Sequence, residues 1–225
     1  MIQIKNAAEL EKMRKACAIS AAALKAGGEP IEPGITTAEI DKIIYDFIVR
    51  HGARPNFLHL YGFPATACIS VNDTVIHGIP SRQQQIRPGD IVSIDTGCKI
   101  DGFNGDNACT YACGKIDLEA QRLLDVTKES LHRGIEMACG GNRVGDIGHA
   151  VQSYVEENGF SVVRTFVGHG VGEHLHEEPE VPNYGKPGRG PRLIRGMVIA
   201  IEPMINAGTF EVRVLKDGWT TVTAD

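Results

Sequence analysis

The sequence predicts a mixed helix-and-strand chain built as two similar halves, each made of two helices followed by strands. Two observations carry this prediction. Amphipathic helical periodicity alternates with short continuous apolar runs, and the pattern repeats at an offset of 107 residues. In the first half a helical pattern runs over roughly 8–26. Thr36 with Glu39 three residues later then offers a capping box. Ile40, Ile43, Ile44, Phe47 and Ile48 follow as one apolar stripe that ends at His51-Gly52. In the second half a helical pattern covers roughly 118–138, and Ile147, Val151, Tyr154 and Val155 repeat the stripe before Asn158-Gly159. The runs DIVSID (90–95) and MVIAIE (197–202) predict buried strands. Pro- and Gly-rich loops are expected at 30–34, 78–80 and 185–191. The offset lays Leu24 on Leu131, Gly27 on Gly134, Ile40 on Ile147, Gly89 on Gly196, and Asp95 on Glu202.

Bulk composition narrows the function classes. The chain has 225 residues, 42% of them hydrophobic and 23% charged, which is ordinary for a globular protein. A net charge of -5 gives no electrostatic footprint for nucleic acid. The N-terminus MIQIKNAAELEKMRKA lacks the apolar core of a signal peptide, and no stretch has the length of a membrane span. A cytoplasmic protein with no membrane partner is expected. The six cysteines form no CxxC pair and read as free thiols.

Two acids at the ends of matching strands need a reason. Alternation sets Ser93 beside Asp95 and Ala200 beside Glu202, so each acid has a small neighbour and room around it. If the halves are related by a two-fold axis, both acids point toward it. Like charges meeting there would force one to stay protonated, and a divalent cation removes the conflict. Turn signals at Asp101-Gly102 and Asn104-Gly105 predict a hairpin that returns Asp106 to the side of Asp95. In Gly168-His169-Gly170, nothing crowds the ring, which suits a ligand or a catalytic group. His174 and His176 share a face if their segment is extended, while Glu173, Glu177 and Glu178 read as solvated charges.

Four stretches now carry a likeness: CISVNDTVIHGIP (68–80), IVSIDTGCKIDGFNGD (91–106), FVGHGVGEHLHEEP (166–179) and GMVIAIEPMINAG (196–208). In this order and spacing the chain closely resembles the bacterial-type methionine aminopeptidases of the short type I class, over nearly its whole length. The resemblance implies an α+β pita-bread (creatinase/aminopeptidase) fold. That fold is a single catalytic domain of two pseudo-symmetric halves, here about 1–112 and 113–225, with helices over a curved antiparallel sheet.

The resemblance also implies two divalent metal ions, with Asp95, Asp106, His169 and Glu202 as ligands. One imidazole among oxygen donors favours Mn, Fe or Co. His77 and His176 become the catalytic histidines that contact substrate, and Glu202 becomes the general base. His174 acquires no role. Phe57, Leu60, Phe63, Cys68, Leu175 and Trp219 match an apolar methionine pocket, with leucine at two places where relatives often carry aromatic residues. Asn72 matches a position that helps bind a monovalent cation. Expected partners are nascent peptides beginning with Met and a small second residue, and transiently the ribosome, for a monomeric enzyme.

The family pattern has a fifth ligand, a glutamate on a late strand beyond DGWT, and no glutamate follows Glu211 here. Impaired two-metal binding by these 225 residues is therefore an expectation. Two rivals share the fold. A proline-directed aminopeptidase or dipeptidase usually has Arg-Thr soon after the second aspartate, where this chain has Asn107-Ala108-Cys109-Thr110. A non-catalytic binding protein tends to lose ligands, and four stand here.

Overall fold

The computed structural model describes residues 1–225. The first half contains α1 (Ala7–Gly28), α2 (Thr37–Arg50), β1 (Arg54–Pro55), β2 (Ala67–Val71), β3 (Thr74–Ile76), β4 (Ile91–Ile100) and β5 (Phe103–Ala112). The second contains α3 (Leu118–Met137), α4 (Val144–Glu157), β6 (Ser161–Val162), β7 (Gly168–Gly170), β8 (Glu177–Val181), β9 (Ile205–Asn206), β10 (Val212–Val214) and β11 (Thr221–Thr223).

The helices begin and end where local chemistry dictates. Thr36 accepts from the Glu39 amide while the Glu39 carboxylate accepts from the Thr36 amide, so two orphan donors are satisfied reciprocally. Asn6 and Glu9 do the same for α1, a cap absent from the expectations above. Offset by 107 residues, α2 and α4 coincide from end to end. Their buried stripes coincide too: Ile40, Ile44 and Ile48 in one, Ile147, Val151 and Val155 in the other, all fully buried. Each such side chain contributes about 1.5–3 kcal/mol by leaving water. The helix pairs also meet through equivalent glycines. A Cβ on Gly27 would lie 2.5 Å from Ile44, and one on Gly134 would lie 2.9 Å from Val151.

All the strands pair antiparallel, in four hydrogen-bonded groups. β4 lies between β2 and β5, and α1 packs across β4 and β5. That packing is close. Ser20 Oγ donates to the Thr96 carbonyl at 3.0 Å, and a Cβ on Gly105 would lie 2.4 Å from the Ala16 backbone. Asp41 on α2 accepts from the amides of Thr66 and Ala67 at 2.9 and 2.8 Å, which fixes the start of β2. β11 crosses between the halves to pair with β3, placing Thr221 opposite Ile76.

The run 197–202 differs from the expected buried strand. It is half-buried and makes one bridge, Ile199 to Gly170, plus the bonds Val171 N to Val198 O and Ala200 N to His169 O. The other edge of β7 pairs with β8, where the register shifts between His169 and Gly170 because residues 178 and 179 of β8 are left unpaired. All six cysteines are free thiols. No helix is long and apolar enough to cross a membrane.

Candidate active site

The hairpin of β4 and β5 sets the first two acids. Of the two turn signals only Asp101-Gly102 is the turn, since 104 and 105 lie in the returning strand. Asp95 lies opposite Ala108 and Asp106 opposite Gly97, so the acids are diagonal neighbours on one face of the ladder. The alanine and the glycine across from them leave the space open. Beneath them Ser93 Oγ and Thr110 Oγ1 share a hydrogen bond of 2.7 Å.

His169 comes from β7. Its flanking glycines serve a purpose other than leaving its ring uncrowded. A Cβ on Gly168 would lie 2.2 Å from the Ala200 carbonyl oxygen, and one on Gly170 would lie 2.3 Å from that of Glu178. The backbone is squeezed from both sides, and one of the two neighbours is the segment that ends in Glu202. The Ala200 amide bonds the His169 carbonyl at 2.7 Å. Asn183, fully buried, donates from Nδ2 to the Glu202 carbonyl at 2.7 Å. Nothing in the residue pattern marks Asn183 for this job.

The orientation of the imidazole is decisive. His169 Nδ1 lies 2.8 Å from the Gly170 carbonyl, which can only accept, so Nδ1 carries a proton. In the neutral ring the lone pair is then on Nε2. Nε2 lies 3.2 Å from Glu202 Oε1 and 3.5 Å from Asp106 Oδ2. Glu202 Oε1 is buried and takes part in no hydrogen bond. Three electron-pair donors therefore face one another. Only protons or a cation satisfy them, and a mixed imidazole and carboxylate set suits a divalent transition metal.

Protonation follows the same logic. Asp95 is pushed well above the carboxylate range by burial, then by Asp106 and Glu202. Burial raises Glu202 to about 7, with His169 opposing and Asp106 adding to the rise. Burial pulls the His169 pKa down, but Asp106 and Glu202 outweigh it and the net shift is upward. All three groups hold protons in the folded, metal-free chain at pH values where the unfolded chain has released them. Stability of that form falls as pH rises from the ordinary carboxylate range through about 7. A metal that displaces these protons binds better as pH rises. The gain in Tm on adding Mn or Co is thus expected to grow between about pH 5 and about pH 8. Thermal melts with and without metal read this directly, and a gain that is flat or shrinking over the range would contradict it.

Of the two histidines expected to contact substrate, His176 borders the cluster and His77 borders the apolar pocket. The His176 ring stands 4.5 Å from that of His169, edge to face, and burial together with His169 lowers its pKa. Its segment, 171–176, is a bent loop and not the extended stretch that would align His174 with it. His174 is exposed. His77 adopts φ 59°, a left-handed conformation that costs free energy for a residue with a Cβ. It meets Phe166 and Trp219 edge-on at 5.3 and 6.1 Å. Burial and then His176 lower its pKa, so it is neutral near pH 7.

The six pocket positions converge. Phe57, Leu60, Phe63, Cys68, Leu175 and Trp219 form one apolar cluster with Ala65 and Ile79, which the sequence reading missed. Phe166 was missed as well, although it opens the stretch that holds His169. Cys68 lies directly opposite Asp95 in the ladder, so pocket and carboxylates share a wall. Asn72 uses its side chain internally, donating to Asp90 and accepting from the Ile91 amide. Glu177 is not a solvated charge: it forms a buried ion pair with Lys5.

Carboxylates and imidazoles converging beside an apolar pocket, on two helix-backed halves, suit metal-assisted hydrolysis, and the chain belongs to metallopeptidase family M24, whose model matches residues 11–222. Among its relatives, the methionine aminopeptidase of Clostridium perfringens is 55% identical over 225 residues, which is 100% of this chain and 90% of that protein. Methionine aminopeptidase 1 of Bacillus subtilis is 49% identical over the same shares. The crystal structure of methionine aminopeptidase from Thermotoga maritima superposes with a TM-score of 0.98 at 43% identity, covering 100% of this chain and 90% of that one. Prolidase from Pyrococcus furiosus reaches 0.75 at 26% identity, covering 89% and 57%. The fold is the pita-bread fold, and family membership implies divalent metal.

Proposed function

We propose that this chain removes the N-terminal methionine from polypeptides, preferring a small second residue. Asp95, Asp106, His169 and Glu202 would hold up to two divalent ions, with Mn, Fe or Co as the natural candidates. The observation that carries this reading is the strand register that sets Cys68 of the apolar pocket against Asp95. A side chain lying in the pocket would bring its own backbone to the carboxylate cluster, and a free amino end there supports the reading of an exopeptidase that prefers an apolar first residue.

Bound metal would polarise the scissile carbonyl and lower the pKa of a water. Glu202 would serve as the general base, taking the proton of the attacking water and later passing it to the departing amine. His176, neutral and at the edge of the cluster, donates an N–H to the carbonyl oxygen as charge develops there. His77 donates to the substrate backbone. Leucine at positions 60 and 175 suits a flexible thioether side chain. Nascent chains leaving the ribosome in the cytoplasm are the substrates this reading implies.

The test is release of free methionine from a Met-Ala-Ser peptide. The protein is stripped with chelator and then given Mn, Co or Fe, with a Xaa-Pro peptide alongside. Metal-restored release from the first peptide alone supports the reading. Cleavage of the Xaa-Pro peptide instead would move the chain to the proline-directed branch of the fold.

A further inference from the structure

The geometry points to Lys5 and Glu177 as a positioning pair, a strap from the N-terminal segment that sets the loop presenting His176 and Leu175. This rests on the function proposed above. Both side chains are almost wholly buried, at 5% and 6% exposure, and Lys5 Nζ lies 2.5 Å from Glu177 Oε2. The other carboxylate oxygen, Oε1, accepts from the His174 amide at 3.0 Å. Glu177 therefore holds the loop from inside while Lys5 holds Glu177. Space for the pair exists only because residue 172 is glycine. A Cβ there would lie 2.5 Å from Glu177 Oε1 and 2.6 Å from Lys5 Cε.

The same loop is gripped from the first half. Asn104 Nδ2 donates to the carbonyls of Gly172 and Glu173 at 2.9 and 3.0 Å, and Lys99 Nζ donates to the Glu173 carbonyl. Between these anchors the chain must place Leu175 in the pocket wall and His176 4.5 Å from His169. Lys5 also reaches the far side of the site. Its amide donates to the Gly196 carbonyl at 2.8 Å, at the start of the segment that leads to Glu202. One residue of the N-terminal segment thus ties the loop of His176 to the segment of Glu202.

A buried ion pair is a poor device for stability, because desolvation offsets most of the attraction and apolar replacements often match it. What it supplies is a fixed geometry, and the loop it fixes carries two site residues. The carboxylate of Glu177 is held below its usual range although burial pushes it up, since Lys5 and the His174 amide outweigh burial.

The experiment compares wild type with Lys5→Met/Glu177→Met, Lys5→Met and Lys5→Arg. The double variant removes both charges and keeps the volume, so it folds with a Tm near or above that of wild type. It is expected to lose roughly tenfold to a hundredfold in kcat, the cost of an ångström-scale misplacement. Its preference for Met-Ala-Ser over Leu-Ala-Ser narrows, its Mn affinity stays within about twofold, and amides 172–176 exchange hydrogen faster. Lys5→Arg, which keeps the charge, retains most of the kcat that Lys5→Met loses. A folded double variant with wild-type kcat, preference and exchange overturns the strap. If wild type itself releases no methionine, the functional reading fails and the exchange rates alone decide the strap.

Discussion

Glu202→Gln is expected to lower kcat for methionine release by about a hundredfold to ten-thousandfold, the usual contribution of a positioned general base. The amide keeps the size of the carboxyl and can still place an oxygen 3.2 Å from His169 Nε2. It cannot accept the proton. It also removes the titrating carboxyl, so a limb of the pH–rate profile that belongs to Glu202 should disappear in the variant. Because Asn183 holds the backbone of Glu202 and not its carboxyl, the segment should remain in place and the fold intact. Steady-state kinetics over a pH series check this. A variant within tenfold of wild type with an unchanged profile would transfer the base role to another group.

Gly105→Ala is expected to damage fold and site together. The new Cβ would land 2.4 Å from the carbonyl carbon and oxygen of Ala16 and 2.6 Å from the Cys17 amide, which is helix backbone with no flexible end to yield. Overpacking of this kind costs about 1–3 kcal/mol, against a gain of about 0.4–1 kcal/mol from restricting the unfolded chain. The clash wins, and Tm should fall by several degrees. Asp106 is the next residue, so relief by moving β5 away from α1 displaces a carboxylate of the cluster. Calorimetric titration with Mn should show weaker binding than in wild type. An unchanged Tm with unchanged Mn affinity would mean that α1 moves freely over the hairpin.

The parts of this molecule that were legible in the sequence are those with a local period or a local turn. Both apolar stripes, the Thr36 cap and the Asp101-Gly102 hairpin depend on residues within a few positions of one another, and each folds as read. The pocket positions were legible only through resemblance, since six residues spread from Phe57 to Trp219 have no common period. Glu177 was misread because its partner lies 172 residues away, and an acid in a polar stretch looks solvated until the distant lysine arrives. The glycines around His169 were noticed, but their reason was not. Close approach of two other backbone segments leaves no mark in the residues that do the approaching. The run 197–202 has the composition of a buried strand, but pairing is settled by a neighbour, and β7 offers it a single bridge at Gly170.

The crossing of β11 to β3 sets an order of assembly during synthesis. β2, β4 and β5 complete their ladder with one another, so that unit can form once residue 112 has left the ribosome. Trp219, which meets His77, and β11, which follows it, emerge more than a hundred residues later. Before the second half emerges the young chain displays Asp95 and Asp106 without His169 or Glu202, and its pocket stays open on the tryptophan side until Trp219 follows. Long-range closure of this kind is slow compared with hairpin formation. The maturing molecule thus passes through an interval in which the ladder of its first half can pair while the site still lacks the groups that the second half supplies.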